Sequence, residues 1–231
     1  MPATKSLRID ELMERASEAL ARTAYFEAER MCNKALGMAR QLDDFERMAR
    51  ITLPLQEARR QRYQQALDAG SEVRIVDVPI TDDMALSPGC YLIQPLQVGA
   101  DGRRLRLLAH QRDVPVAVIV REPRTALGLC PIVAINPGTT YRTRVDPPDD
   151  ETKPDLEWFV YAMEELGDAT IESLDRTSEP YRRVDGLLER LDAIPEHELL
   201  HQVLAETCRE AHAAHLEAEA RPRGRQKSAS S

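Results

Sequence analysis

The residues best suited to chemistry in this 231-residue chain are His197-Glu198-Leu199-Leu200-His201. Histidines four apart on a helix share one face and can both ligate zinc. The glutamate between them is spaced to act as general base on a zinc-bound water. On a helical projection the set widens, because His201, Cys208, His212 and His215 all fall within roughly 60° of His197. Such a row, with His197, His201, His212 and His215 as ligands, could hold zinc in one chain or across a two-fold homodimer. It could equally border a packed face, since Leu200, Val203, Leu204, Thr207 and Ala211 form an apolar stripe beside it.

The pentapeptide resembles the HExxH signature of zinc metallopeptidases, and the resemblance implies a zinc-dependent hydrolase with Glu198 as its catalytic base. Three features depart from that family. Pro195 stands two residues ahead of His197, and no HxxGxxH continuation follows. The third ligand should come from a separate downstream helix, yet the helical pattern runs on to Ala220. Glu217 and Glu219 would lie roughly 24–27 Å further along the same helix, out of reach of the metal.

The elements that would carry these residues are marked by composition. Of 22 glutamates, 8 lie in residues 1–72 and 13 in 151–231, whereas 10 of 13 valines and 9 of 15 prolines lie between. Glutamate favours helices, valine favours strands and proline marks their ends. The chain therefore divides into N-terminal helices (1–71), a small sheet unit (72–150), C-terminal helices (151–220) and a basic tail (221–231) expected to be disordered. The fold class is α+β, a small mixed or partly parallel sheet flanked by helices at both ends.

In the first segment, helices are expected over 9–22 and 24–39. A third begins at Phe45 and a fourth has Pro54 in its first turn, ending near Asp68. Ala16, Tyr25, Ala28 and Ala35 match the small and aromatic positions of tetratricopeptide repeats, and Phe45, Met48 and Ala49 fall where a second unit would begin. The segment thus resembles a tetratricopeptide-like helical repeat over about a quarter of the chain, with Gln61 departing from the small residue expected in unit two. The resemblance implies a concave face that binds a protein partner, and Tyr25, Arg47, Arg50 and Arg59 are its candidate contacts.

In the second segment, Val73–Val78, Tyr91–Leu96, Val114–Val120, Ile132–Ile135 and Tyr141–Val145 read as strands, with turns at Ser87-Pro88-Gly89 and Asn136-Pro137-Gly138. A helix over Asp101–Gln111 between two of them makes a right-handed βαβ crossover. Helices over 155–174, 180–193 and 195–219 complete the chain.

Net charge of −8 disfavours a dedicated nucleic-acid binder. Two arginine runs, Arg59-Arg60-Arg62 and Arg103-Arg104-Arg106 with Arg112, could face phosphate, but no aromatic platform or glycine-rich phosphate loop accompanies them, and they read as solvated helix faces. No apolar run is long enough for a membrane span, and the charged N-terminus lacks a secretory apolar core. Four scattered cysteines without a CxxC pair argue for a reduced, cytoplasmic protein, and Cys90 and Cys130 read as buried, unreactive thiols. The resulting expectation is a noncatalytic protein-interaction or scaffold protein needing no cofactor. The alternatives are a zinc hydrolase at 197–201 and an accessory nucleic-acid-binding protein.

Overall fold

The computed structural model describes residues 2–220, so the tail expected to be disordered lies outside the described residues. Helices α1 (Pro2–Ala21), α2 (Tyr25–Arg40) and α3 (Phe45–Asp68) lead into strands β1 (Arg74–Val76) and β2 (Gly89–Ile93). Helix α4 (Gly99–Gln111) connects β2 to β3 (Val116–Arg121), and β4 (Cys130–Ile135) and β5 (Thr140–Val145) follow. Helices α5 (Leu156–Glu172), α6 (Pro180–Ala193) and α7 (Glu198–Ala220) close the order. The architecture is the α+β arrangement expected from composition.

The five strands lie in sequence order. β1, β2 and β3 are parallel, joined by the expected βαβ unit, and β4 and β5 run antiparallel to their neighbours. Every residue of β3 is buried, as a central strand covered on both faces requires. Val116, Val118 and Val120 join Tyr91, Ile93, Leu105 and Leu108 on the α4 side. Ala117 and Ile119 turn the other way, with Leu92, Cys130 and Ile132, into a larger core. That core runs from Ile9 through the sheet to Phe159, Leu204 and Ala211. The three ordered segments therefore share one hydrophobic interior.

Local chemistry fixes the element ends. Asp44 caps α3 by accepting from the Arg47 amide at 3.0 Å, and Asp155 caps α5 by accepting from the Trp158 amide at 2.7 Å. Trp158 ties α5 to the sheet by donating its indole N–H to the Asp146 carbonyl at 2.8 Å. The Asn136 turn forms as expected, its Oδ1 accepting from the Gly138 and Thr139 amides.

One expected break is absent. Helix α3 continues through Pro54, so the third and fourth helices are a single one of 24 residues. The missing N–H forfeits one helical hydrogen bond. Ile51 and Leu55, both fully buried on either side of Pro54, hold the helix to the core regardless. The N-terminal segment is thus one hairpin, α1 and α2, followed by a long helix, rather than two consecutive hairpins.

Gly102 lets α4 lie close on the sheet, since a Cβ there would overlap the Val120 side chain. A Gly102→Ala substitution should therefore lower unfolding free energy by about 1–3 kcal/mol, the usual range for overpacking. Val120→Ala in the same chain should recover part of that loss, measured by urea denaturation.

Candidate functional site

The His197–His201 pair does not form a chelating face. Helix α6 ends at Ala193, Pro195 and Glu196 make a turn, and α7 begins only at Glu198. His197 therefore precedes the helix instead of sitting on it. Its Nε2 lies 3.2 Å from Glu164 Oε2 and 3.3 Å from Asp168 Oδ1, both on α5. The ring fits against Gly167, where any side chain would overlap it.

His201 turns the opposite way, toward α3. Its Nδ1 is 3.0 Å from the His197 carbonyl and its Nε2 is 3.4 Å from Arg59 Nη1. Those contacts require a neutral ring with the proton on Nδ1, donating to the carbonyl and accepting from Arg59. Both histidines are 1% exposed. Glu198, by contrast, is exposed, with Gln56 Nε2 at 3.5 Å. His212 is half-buried further along α7, and the exposed His215 has its Nε2 3.5 Å from Glu219 Oε1. Among the described residues, no group of three or more His, Cys, Asp or Glu side chains is arranged to hold a metal ion. The histidines of the expected zinc stripe stand apart: the Pro195 turn takes His197 off the helical register, and His201 lies 11 residues from His212 on α7, about 16 Å at 1.5 Å per residue.

Arg59, expected at a partner-binding surface, is the interior partner of His201. Its Nε donates to Glu29 Oε1 at 2.8 Å and its Nη2 to Asn33 Oδ1 at 3.4 Å. Arg62 donates to the other Glu29 oxygen and lies over the Phe26 ring at 4.2 Å. His110, at the end of α4, reaches the same carboxylate, with Nε2 at 3.4 Å, and meets Phe26 edge-on. Burial alone would raise the Glu29 carboxyl. The Arg59 charge, the His110 hydrogen bond and the Arg62 charge outweigh it and hold Glu29 well below the usual carboxylate range.

The remaining candidate contacts do not gather on one surface either. Arg47 is held by Asp10, at 2.9 and 3.0 Å, and by Asp44, tying α1 to α3. Arg50 is exposed and Tyr25 half-buried. The second arginine run is also committed. Arg103 pairs with Asp192, Arg104 with Asp82, and Arg112 donates to the Met84 and Asp82 carbonyls. All four cysteines are free and buried, and burial pushes the Cys32, Cys90 and Cys208 thiols up to about 12. At that value the nucleophilic thiolate is scarce.

The open site lies at the other end of the α3–α7 pair. A groove of about 340 Å³ is floored by Ala211, Ala214 and Ala218 on α7 and walled by Phe45 and Tyr181, with Asp43 and Glu179 also lining it. Tyr181 is 44% exposed, and α7 is exposed from Ala213 onward. The sequence marks Phe45 as a repeat position, Ala211 as part of an apolar stripe and His215, which also lines the groove, as a zinc candidate, but it does not bring them together as a surface. The available signal was the alanine spacing 211, 214, 218, which places three methyl groups on one helical face. Glu29 carried a signal too, since it falls on the same α2 stripe as Cys32 and Leu36 and so must be buried with them.

Compared with protein-family models, curated proteins and solved structures, the chain matches none. No helix among the described residues is long and apolar enough to cross a membrane.

The neutral state of His201 has a consequence for stability. Burial, with Arg59 alongside, pushes its pKa down to about 3. The unfolded ring takes a proton near pH 6.5, so between these values the unfolded state binds more protons and stability rises with pH. Stability is thus whole above pH 6.5 and falls on acidification. From pH 6.5 to 5, before carboxylates contribute, the loss should approach about 1.4 kcal/mol per pH unit. A His201→Gln chain should lose much of that slope in urea denaturation at pH 7, 6 and 5.

Proposed function

We propose that this is a noncatalytic protein-interaction protein, whose partner presents a helical segment that is apolar along one side and basic at its edges. The observation that carries this reading is the groove of Ala211, Ala214, Ala218, Phe45 and Tyr181 on an uncovered stretch of α7. Alanines on a helix face allow a second helix to approach closely, and the exposed Tyr181 ring supplies anchoring area. Glu179 in the lining, with Glu217 on the exposed end of α7, favours lysine or arginine on the partner. The same charges disfavour a second copy of this chain, whose own α7 would bring like charges together.

The reading keeps the protein-binding role suggested by the tetratricopeptide-like residues but moves the surface. Those N-terminal helices supply one wall through the α2–α3 turn and Phe45. The faces bearing Tyr25, Arg47 and Arg50 stay outside the groove. The diverging histidines and the high thiol pKa values give no support to hydrolysis at 197–201. The commitment of Arg103, Arg104 and Arg112 to acidic residues and carbonyls likewise gives none to nucleic-acid binding.

The test is NMR titration of the full chain with a Leu/Lys amphipathic helical peptide of about 18 residues, five turns long. Shifts should concentrate on Ala211, Ala214, His215, Ala218, Phe45 and Tyr181. Ala214→Arg should abolish them without changing the melting temperature, because that residue is exposed. Absent shifts, or shifts centred on Tyr25 and Arg50, would contradict the assignment.

A further inference from the structure

β5 is the last strand of the sheet, with a neighbour on one side. It pairs with β4 over six consecutive residues, from Thr140 opposite Ile135 to Val145 opposite Cys130, without a bulge. That ladder fixes where its backbone groups point. Opposed residues in antiparallel strands alternate between exchanging hydrogen bonds and turning their N–H and C=O outward. Pro131, opposite Arg144, has no N–H to give to β5, and its carbonyl accepts from the Glu122 amide at 2.9 Å, on the β3 side. At the turn, the Asn136 amide donates to the Thr139 carbonyl at 3.1 Å. Both contacts set the same alternation. Tyr141, Thr143 and Val145 bond to β4, whereas Thr140, Arg142 and Arg144 turn their N–H and C=O to the outer edge.

That edge is uncovered among the described residues. Thr140, Arg142 and Arg144 make no backbone hydrogen bond outside the ladder, and all three are exposed. Helix α5 packs on the inner face of β5, where Tyr141 and Val145 join Trp158 and Phe159 in the core. Edge strands are commonly blunted by proline, a bulge, short length or charge. β5 uses charge alone, and charge selects a partner as well as excluding one.

Arg142 and Arg144 stand on the α4 side of the sheet, opposite Val133 and Pro131. With Glu122, Thr125, Pro131 and Thr143 they line a recess of about 550 Å³ beside the strand. Arg142 is committed to Glu122 by two hydrogen bonds of 3.0 and 3.1 Å. Arg144 has no ion pair among the described residues, so the recess keeps one uncommitted cation. A second copy of this chain is a poor occupant. Antiparallel pairing of β5 with itself about a two-fold, in any register centred on Arg142, Thr143 or Arg144, sets arginine opposite arginine, which is destabilising.

We propose that the outer edge of β5 takes up an extended acidic segment of a partner protein as a sixth strand. The segment's main chain would pair with Thr140, Arg142 and Arg144, and one of its carboxylates would lie against Arg144. Main-chain bonds give affinity in this mode, and the side chains beside the edge give specificity. The surface shares no residue with the α7 groove, and the two stand or fall separately.

The experiment uses the full chain, titrated at constant ionic strength with a blocked octapeptide of alternating threonine and glutamate, and read by NMR shifts and amide hydrogen exchange. Binding should saturate with a dissociation constant of about 1 mM or tighter. With peptide at about ten times that constant, exchange at the Thr140, Arg142 and Arg144 amides should slow about tenfold. The Tyr141, Thr143 and Val145 amides, already paired to β4, should change less. Arg144→Glu, at an exposed position, should weaken binding about tenfold, since attraction becomes repulsion. Ala214→Arg, in the groove, should leave it unchanged. Absence of saturation at about tenfold above 1 mM would overturn the proposal. So would unslowed exchange at the three edge amides, equal binding of a threonine–lysine octapeptide, or unchanged binding by Arg144→Glu.

Discussion

An ionised carboxylate in the interior, Glu29, is the constraint around which the helices of this protein are arranged. A lone buried carboxylate would be expelled or neutralised. Here two guanidinium groups from α3 and an imidazole from α4 surround it. Each of those side chains reaches Glu29 only if α2, α3 and α4 hold their observed relative positions. Arg59 extends the dependence to α7 through the neutral ring of His201, and His201 extends it to the Pro195 turn through the His197 carbonyl. Surface pairs reinforce the arrangement, Arg40 binding Asp185 across α2 and α6, and Arg30 binding Asp113. Exposed pairs of that kind contribute little each, so the buried junction sets the geometry.

The antiparallel contact of α3 with α7 has two ends of different character. At one end, Arg59 meets His201 at the start of α7, and Arg59 and Arg62 line a small charged cavity. At the other, Phe45 meets the last turns of α7 and walls the alanine groove. The two lie roughly 20 Å apart along α3, at 1.5 Å per residue. One end is buried and charged. The other is open and largely apolar.

Much of the fold was legible in the sequence because its signals are local. Valine-rich runs, the Asn136 turn and the first-turn Pro180 depend on neighbours within a few residues, and each predicts its element correctly. Pro54 misleads because buried Ile51 and Leu55 hold the helix through it, a tertiary effect no local rule contains. The site was less legible. Spacing puts His197 and His201 on one helical face only if the helix already includes His197, and Pro195, visible in the sequence, is the residue that prevents it. The arginine runs read as solvated because charge does not reveal burial. What decides it is a carboxylate thirty residues away, on a stripe shared with Cys32 and Leu36.

The most direct measurement is a double-mutant cycle on Glu29→Gln and Arg62→Gln by urea denaturation at pH 7. If the buried junction organises the fold, removing either partner should cost about 3–5 kcal/mol, because a charge is left unpaired inside. The double variant should then cost far less than the two losses added together. Single losses of about 1 kcal/mol or less, adding independently in the double variant, would contradict the account.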